Sequence, residues 1–178
     1  MCIRDRSEDG LGFTVAKELR PAMLARVVEV ADFDLVVIDC PPRLDSAGFA
    51  QVVDVADLVV CPSGPSPMDL ASAMETVRTV VGPREVLYRM LLVRVDPRSA
   101  STALRAQNSL VAAGIPTCGT YVREYAVYGE AVTEGVPVSR VRGRYAQEAA
   151  GDHARVAAEL GGLLQLTPAR PRLRQVSS

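Results

Sequence analysis

The sequence FDLVVIDCPP, residues 33–42, decides the predicted fold. Leu35 to Ile38 is a continuous apolar run rich in β-branched residues, which is typical of a strand covered on both faces in a parallel sheet. Pro41 and Pro42 then end the strand, because proline has no N–H to donate to a neighbouring strand. The pattern therefore predicts a buried central strand that ends on Asp39.

Asp39 is the candidate metal-binding residue. It would lie at the carboxyl end of a strand, which is the edge of an open α/β sheet where ligands bind. A carboxylate at that edge is well placed to hold a hydrated magnesium ion. The alternative interpretation is an acid that only solvates the end of a strand.

The composition predicts one folded cytoplasmic domain without a membrane partner. The chain has 178 residues, of which 48% are hydrophobic and 23% charged, as in ordinary soluble domains. No apolar run approaches the roughly 18 residues that span a bilayer, and the amino terminus lacks a signal-peptide core. The four cysteines are widely spaced, which favours reduced thiols over a zinc or redox site.

Helical and strand patterns alternate along the chain. A helix is predicted after Pro21, and Ser66 is the expected N-cap of a later helix, with Pro67 at its first position. The predicted segments after residue 42 are a helix over 49–56, a strand over 57–61, a helix over 66–81, a strand over 87–95, a helix from 99 that Gly114 ends, a strand over 115–122, a short helix over 125–135 and a helix over 145–164. This alternation predicts an α/β fold with a doubly wound, mostly parallel sheet and helices on both faces.

The two ends of the chain differ from its middle. Residues 1–11 begin with MCIRDR, which has no helical or strand periodicity, so we expect a non-native or disordered leader there. Residues 166–178 are rich in proline, arginine and serine and are expected to be a disordered tail. Residues 12–165 then form the predicted α/β domain, and the irregular start favours the hypothesis that the chain is a fragment.

Arg140, Arg142 and Arg144 are candidate DNA-binding residues. They lie in a basic region, because residues 138–178 carry seven arginines against three acids. In an extended segment the three side chains would project from one face and could bind phosphates in a salt-dependent way. The alternative is a solvated arginine-rich loop, and the pattern alone does not separate the two.

The last predicted helix has an apolar stripe that includes its one histidine. The stripe is formed by Ala149, His153, Val156, Leu160 and Leu163. We interpret His153 as a structural residue without a chemical role.

Several motifs in order resemble the ParA/MinD family of P-loop ATPases, especially the short ParA-type partition proteins. DLVVIDCPP at 34–42 is similar to the family's Walker B strand and the start of its switch II. ADLVVCP at 56–62 and PSPMDL at 65–70 are similar to its next strand and capped helix. Glu130-Ala131 followed by GVPV at 135–138 is similar to its late E-A-x-x-x-G-x-P-V element. The resemblance covers roughly residues 12 to 164 and implies a P-loop NTPase-like fold.

The resemblance also implies a role for each candidate site residue. Asp39 matches the Walker B acid, which holds magnesium through a water and helps to order the attacking water. Pro41 and Pro42 match the start of the switch loop that senses the γ-phosphate. Arg94 and Asp96 lie at the strand end where the family contacts adenine, although the family often has an asparagine near there. An exposed ion pair is the alternative interpretation of Arg94 and Asp96.

The function implied is that of an ATP hydrolase for plasmid or chromosome partition. ATP and Mg²⁺ are the implied cofactors, and a homodimer is expected when nucleotide is bound. Non-specific DNA and a centromere-binding protein are the implied partners, and the expected location is the cytoplasm, in association with the nucleoid.

One family element is absent from this sequence. It contains no G-x-x-x-x-G-K-[ST], and its single lysine, Lys17, has no glycine-rich approach. Without that loop the β- and γ-phosphates lose their backbone cradle and main cation, so we expect little ATP hydrolysis from this chain by itself. It would then be the carboxyl-terminal part of a ParA-type ATPase, or alternatively a non-catalytic α/β interaction module that has lost the nucleotide site. A phosphorelay receiver is disfavoured because no lysine follows Lys17.

Overall fold

A computed structural model describes residues 2–4, 15–17, 33–40 and 46–166. The described strands and helices are β1 (Cys2–Arg4), β2 (Val15–Lys17), α1 (Ser46–Val53), β3 (Val59–Ser63), α2 (Pro67–Thr76), β4 (Tyr88–Val95), α3 (Ala100–Ala112), β5 (Thr117–Arg123), α4 (Val127–Glu134) and α5 (Ala146–Leu163). A π-helical turn over Val77–Val81 continues α2, and short 3-10 turns cover Gly82–Arg84 and Val138–Arg140.

The main sheet has three parallel strands in the order β3-β4-β5. Val59 lies opposite Tyr88 at the start of the β3–β4 pair, and Ser63 lies opposite Leu92 at its end. Helices connect these parallel neighbours, as crossover geometry requires. The protein therefore has the predicted α/β fold of the doubly wound, Rossmann-like kind.

Helices cover both faces of this sheet, as the alternation in the sequence predicts. On one face α2 and α3 pack on side chains of β3 and β4, with Met90 and Leu92 of the central strand fully buried. On the other face Val156 of α5 packs with Leu91 and Cys118. Alternate residues of β4 thus enter two different cores, which is the expected pattern for a strand buried on both sides.

Two local predictions about helix ends are confirmed. The Asp69 amide donates to the Ser66 hydroxyl oxygen at 3.2 Å, and the Ser66 hydroxyl donates to the Asp69 carboxylate at 2.9 Å. Gly114 follows the end of α3 with φ of 74°, a left-handed backbone that favours glycine.

The predicted buried strand over Leu35 to Ile38 is wrong for the described structure. Residues 33–40 have no strand pairing, and the side chains of Leu35 and Val37 are 55% and 82% exposed. A strand needs a neighbour that bonds its backbone groups and covers its side chains, and an apolar run does not itself provide one. The pattern identified a segment suited to a buried strand, but it carried no information about a partner.

Other predictions fall outside the described residues. They concern the helix after Pro21, the prolines Pro41 and Pro42, and the tail after residue 166. β1 and β2 pair antiparallel, so a strand lies within residues 1–11 although their sequence has no strand periodicity. The domain boundaries stay predictions. Among the described helices, none is long and apolar enough to cross a membrane.

Candidate functional site

The candidate site is a crevice of about 550 Å³ at the carboxyl ends of β4 and β5. Its lining includes two residues that follow β4, the last residue of β5 and the tyrosine that follows it, and two residues at the start of α5: Asp96, Arg98, Arg123, Tyr125, Tyr145 and Glu148. The carboxyl edge of a parallel sheet is the usual ligand-binding edge of this fold class. The crevice therefore lies where the fold itself predicts a site.

A buried ion pair fixes one wall of the crevice. Asp152 of α5 is fully buried, and its carboxylate accepts from the Arg123 backbone amide at 3.0 Å and from the Arg123 guanidinium at 2.9 and 2.8 Å. Arg155 also donates to the same carboxylate. Burial acts to raise the pKa of Asp152, but the hydrogen bonds from Arg123 outweigh it and hold that pKa below its usual value. The ion pair between Arg123 and Asp152 therefore holds α5 against the end of β5.

Two tyrosines form an aromatic surface beside this pair. Tyr125 is 8% exposed, and the Arg123 guanidinium carbon lies 5.3 Å from the centre of its ring. The rings of Tyr125 and Tyr145 stack with centres 5.3 Å apart and planes 20° apart. The guanidinium carbon of Arg144 lies 4.8 Å from the centre of the Tyr145 ring. Stacking and cation–π contacts therefore hold both rings beside the ion pair.

The backbone of Tyr145 is in a strained conformation. Its φ is 66°, in the left-handed region that non-glycine residues rarely occupy. Tyr145 is the N-cap residue of α5, and the Ala149 amide donates to its carbonyl oxygen at 2.9 Å. The start of the helix therefore holds the backbone of Tyr145 in this conformation, and its side chain remains 43% exposed.

An acid and an arginine form the β4 side of the crevice. The Arg98 backbone amide and guanidinium both donate to the Asp96 carboxylate, at 2.8 and 3.2 Å. These hydrogen bonds lower the pKa of Asp96. Asp96 thus stays ionised and oriented at the mouth of the crevice, where it can accept hydrogen bonds from a ligand.

The structure separates the two residues predicted to contact adenine. Asp96 lines the crevice, whereas Arg94 has φ of 55° and lies 3.6 Å from the carboxylate of Asp69. Each of the two residues is in an ion pair, Arg94 with Asp69 and Asp96 with Arg98, and not with the other. The role of both in adenine contact stays a prediction.

Asp39 is exposed and is not one of the residues that line the crevice. In the described part of the chain, no three histidine, cysteine, aspartate or glutamate side chains come together as a metal site would require. A single carboxylate does not by itself define a magnesium site. The metal-binding and catalytic roles of Asp39 therefore stay predictions.

The three predicted DNA-binding arginines are exposed, but they do not lie on a strand. Arg140 ends a 3-10 turn, Val141 is 6% exposed and points inward, and Arg142 is again exposed. A Cβ on Gly143 would lie 3.0 Å from a carboxylate oxygen of Glu130, so a glycine allows this loop to approach α4 closely. Arg142 and Tyr145 line a second, open cavity of about 390 Å³.

The sequence analysis missed the buried acid of α5. It placed His153 on the inner stripe, whereas His153 is exposed and Asp152 is the buried neighbour. The His153 and Tyr128 rings are perpendicular, with their centres 5.7 Å apart. Asp152 also has the 149, 152, 156 spacing of an inner face, but an acid in that position is usually taken as solvated. The adjacent pair Arg144-Tyr145 was the available signal for the aromatic stack.

Comparison with known proteins identifies the relatives of the chain. No protein-family model matches it. It is 44% identical over 156 residues to maintenance of carboxysome distribution protein A of Gloeobacter kilaueensis, which covers 88% of this chain and 72% of that relative. It is 37% identical over 121 residues to the protein of the same name from Halothiobacillus neapolitanus, covering 65% of this chain and 56% of that relative.

The parallel α/β fold and these relatives define the chain, at a coarse level, as a ParA/MinD-type protein. The resemblance of the sequence to the ParA/MinD family is therefore confirmed. The chain belongs to the family of maintenance of carboxysome distribution protein A. Truncation and the loss of a Walker A loop stay hypotheses.

Proposed function

We propose that this chain acts in a ParA-type positioning system that binds ATP with Mg²⁺ and non-specific DNA, and that its cargo is a carboxysome. The crevice between the ends of β4 and β5 and the start of α5 carries the nucleotide part of the proposal. The printed name of the two relatives supports the cargo, in place of the plasmid or chromosome implied by the sequence resemblance.

The crevice fits a nucleotide base better than it fits a complete nucleotide site. Its volume of about 550 Å³ lies within the usual range for small-molecule pockets. The exposed part of Tyr145 offers apolar contact, the guanidinium of Arg98 offers positive charge, and the Asp96 carboxylate can accept from an exocyclic amino group. ATP would supply the phosphoanhydride and Mg²⁺ its neutralising charge, while these residues would bind and orient the base.

The arginine segment, Arg140 to Arg144, is the proposed DNA surface. Its three arginine side chains are exposed within five residues, and the inward Val141 anchors the loop between them. Arginine binds phosphate through planar, charged donors, and such contacts carry no sequence preference. Binding at this segment would therefore be non-specific and sensitive to salt.

The remaining parts of the proposal concern assembly and location. A nucleotide-bound homodimer would place arginine segments from two copies on one DNA, which raises avidity without new contacts. A partner protein would link the DNA-bound protein to its cargo, in the role that a centromere-binding protein has for plasmids. The protein would act in the cytoplasm, on the nucleoid.

Calorimetric titration with ATP·Mg²⁺ tests the crevice. Ala126 lines it and is exposed, so Ala126→Phe should fill the space of the base and weaken ATP binding about tenfold or more, whereas Ala158→Phe on the exposed face of α5 should not. Inorganic triphosphate has no base, so its affinity should be the same in both variants. Equal ATP affinity in both variants would show that the base does not bind in the crevice.

Fluorescence anisotropy with a random-sequence DNA duplex tests the arginine segment. Arg142→Gln should weaken binding and reduce the slope of log K against log salt by about 0.9 for one lost phosphate contact. Arg78→Gln removes another exposed arginine, from the π-helical turn after α2, and is the matched control. The same loss in both variants would point to general charge rather than to this segment.

Replacement of the gene in Halothiobacillus neapolitanus tests the cargo. Carboxysomes labelled with a fluorescent shell protein should be evenly spaced when this chain functions in place of the resident relative. Clustered carboxysomes, with the chain expressed and bound to the nucleoid, would reject the carboxysome as cargo.

The second candidate function is the non-catalytic α/β interaction module that the sequence analysis left open, for a sequence in which G-x-x-x-x-G-K-[ST] does not occur. The calorimetric titration separates the two functions, because an interaction module would bind neither ATP·Mg²⁺ nor inorganic triphosphate.

A further inference from the structure

Arg94 has a strained backbone near the carboxyl end of β4. Its φ is 55°, in the left-handed region that favours glycine. Leu92 pairs with Tyr121 and Val95 with Arg123, so two residues of β4 lie opposite one residue of β5 and the strand bulges at Arg94. A bulge redirects a side chain, and strain of this kind is concentrated at ligand-binding sites. An arginine therefore occupies a position that would suit glycine better, which indicates a role for its side chain.

The Arg94 side chain lies over the end of β3. A Cβ on Gly64, the residue after β3, would lie 3.1 Å from Arg94 Nη2 and would overlap the Asp69 carboxylate. Asp69 belongs to the first turn of α2, where the Ser66 hydroxyl donates to its carboxylate at 2.9 Å. The guanidinium and the carboxylate thus rest against the backbone of Gly64, and a side chain at that position would push them apart.

The guanidinium of Arg94 is held only loosely by Asp69. The two charged groups are 3.6 Å apart, beyond hydrogen-bond distance, and no described residue accepts a hydrogen bond from the guanidinium. The side chains of Arg94 and Asp69 are 64% and 42% exposed. Because an exposed ion pair contributes little to stability, it does not account for the strain at Arg94. A guanidinium whose planar donors are unused is well suited to bind a phosphate.

We propose that Arg94 is an anion-binding residue, and that a phosphate group binds over the end of β3 by replacing the Asp69 carboxylate beside it. Asp96, two residues further along, lines the crevice. A ligand with its base in the crevice can therefore extend its phosphates along the carboxyl edge of the sheet to Arg94. The assignment of the phosphate to a nucleotide rests on the proposed function, whereas the anion site itself does not.

Calorimetric titration of the full chain with inorganic triphosphate tests the site. Arg94→Gly should weaken binding about tenfold, because it removes a charged donor. It should not lower the midpoint of thermal unfolding, since relief of the left-handed strain offsets the loss of an exposed ion pair. Arg94→Asn, which tolerates the same backbone, should lose as much affinity. A merely structural Arg94 would give the opposite result, with lower stability and unchanged affinity, and that result would overturn the proposal.

Asp69→Asn tests the competition between carboxylate and phosphate. It removes the charge that the phosphate has to replace, so triphosphate binding should tighten about threefold. Glu75→Gln on α2 and Arg78→Gln on the turn after it remove exposed charges of each sign and are the matched controls. Both should leave the affinity nearly unchanged. Weaker binding in Asp69→Asn, or changes of the same size in the controls, would overturn the proposal.

Titration with ATP·Mg²⁺ identifies the source of the phosphate. Equal losses for ATP·Mg²⁺ and triphosphate in Arg94→Gly would support both the site and its use by a nucleotide. A loss for triphosphate alone would support a site for free phosphate, independent of the proposed function. The crevice is tested separately, because Ala126→Phe should weaken ATP binding and leave triphosphate binding unchanged. If the wild type binds no triphosphate, the anion site is rejected whatever the crevice binds.

Discussion

The tetrapeptide Asp-Leu-Val-Val occurs twice in this chain, at 34–37 and at 57–60, and its two copies have different structures. In the second copy Val59 begins β3 and is 8% exposed. In the first copy Val36 and Val37 are 36% and 82% exposed and belong to no strand. Both copies are followed closely by proline, so local propensity does not distinguish them.

The difference lies in the partner that each copy meets. The Val59 amide donates to the Leu87 carbonyl oxygen at 2.8 Å, β4 runs parallel beside it, and Leu70 of α2 belongs to the same core. No described residue pairs with the first copy. Strand propensity thus expresses how well a segment would pack in a sheet. Whether the segment becomes a strand depends on a neighbouring strand that pairs with it.

The largest expected difference between the two copies is in amide hydrogen exchange. The Val59 amide should exchange about a thousandfold more slowly than that of Val36, because a bonded amide in the core exchanges only when the structure opens. Exchange read by NMR or by mass spectrometry of short peptides would measure it. Equal protection of the two valines would mean that residues 34–37 are paired in solution.

The next largest effect is a difference in the free energy of unfolding between variants of two acids. Asp39 is the acid that the sequence analysis selected, and Asp152 is the acid that the fold buries. Asp152→Ala should lower the free energy of unfolding by about 3 kcal/mol, because it leaves Arg123 and Arg155 without their buried partner. Asp39→Ala, at an exposed position, should change it by less than about 0.5 kcal/mol.

Urea unfolding measures both stabilities, and Asp152→Asn is the control that keeps the size and one acceptor oxygen of the side chain. It should fall between the wild type and Asp152→Ala. If Asp39→Ala proved as costly as Asp152→Ala, Asp39 would have structural partners in solution that the described residues do not include.

A smaller effect is expected from matched valine substitutions within the repeated tetrapeptide. Val59→Ala should cost about 2 kcal/mol, since it removes two buried methyl groups from the core between β3 and α2. Val36→Ala, at the same place in the exposed copy, should cost less than about 0.5 kcal/mol. Thermal unfolding of the two variants under identical conditions gives the comparison, and equal losses would contradict it.

The smallest expected effect is the acid dependence of stability. Because the pKa of Asp152 is lowered in the folded state, its stabilisation is present above the usual aspartate pKa of about 3.9 and is lost as pH falls below it toward the folded value. The pKa of Glu159 is also lowered, since burial acts to raise it but the hydrogen bonds from Thr120 and Gly119 outweigh that effect.

Unfolding followed between pH 5 and about pH 2 should therefore show a shallower loss of stability in Asp152→Asn than in the wild type. The residual slope should report Glu159 and the other carboxyl groups with lowered pKa. An identical slope in both proteins would mean that Asp152 does not release its proton more readily in the folded state.

Much of the fold was predictable from local signals. The helix that begins after Ser66, the glycine end of α3 and the alternation of strands and helices from β3 onward all depend on residues close together in sequence. Periodicity and caps act within a few residues of each other, so the sequence contains them in readable form.

The class of fold, the order of its elements and the segments able to enter a core follow from the pattern of residues along the chain. The packing of the elements selects which Asp-Leu-Val-Val becomes a strand, turns Asp152 rather than His153 inward, and brings Tyr125 against Tyr145. Arg123 and Asp152 are 29 residues apart in the chain, and no local pattern relates them. Such contacts form only when packed elements bring distant residues together, and the candidate site is built from contacts of that kind.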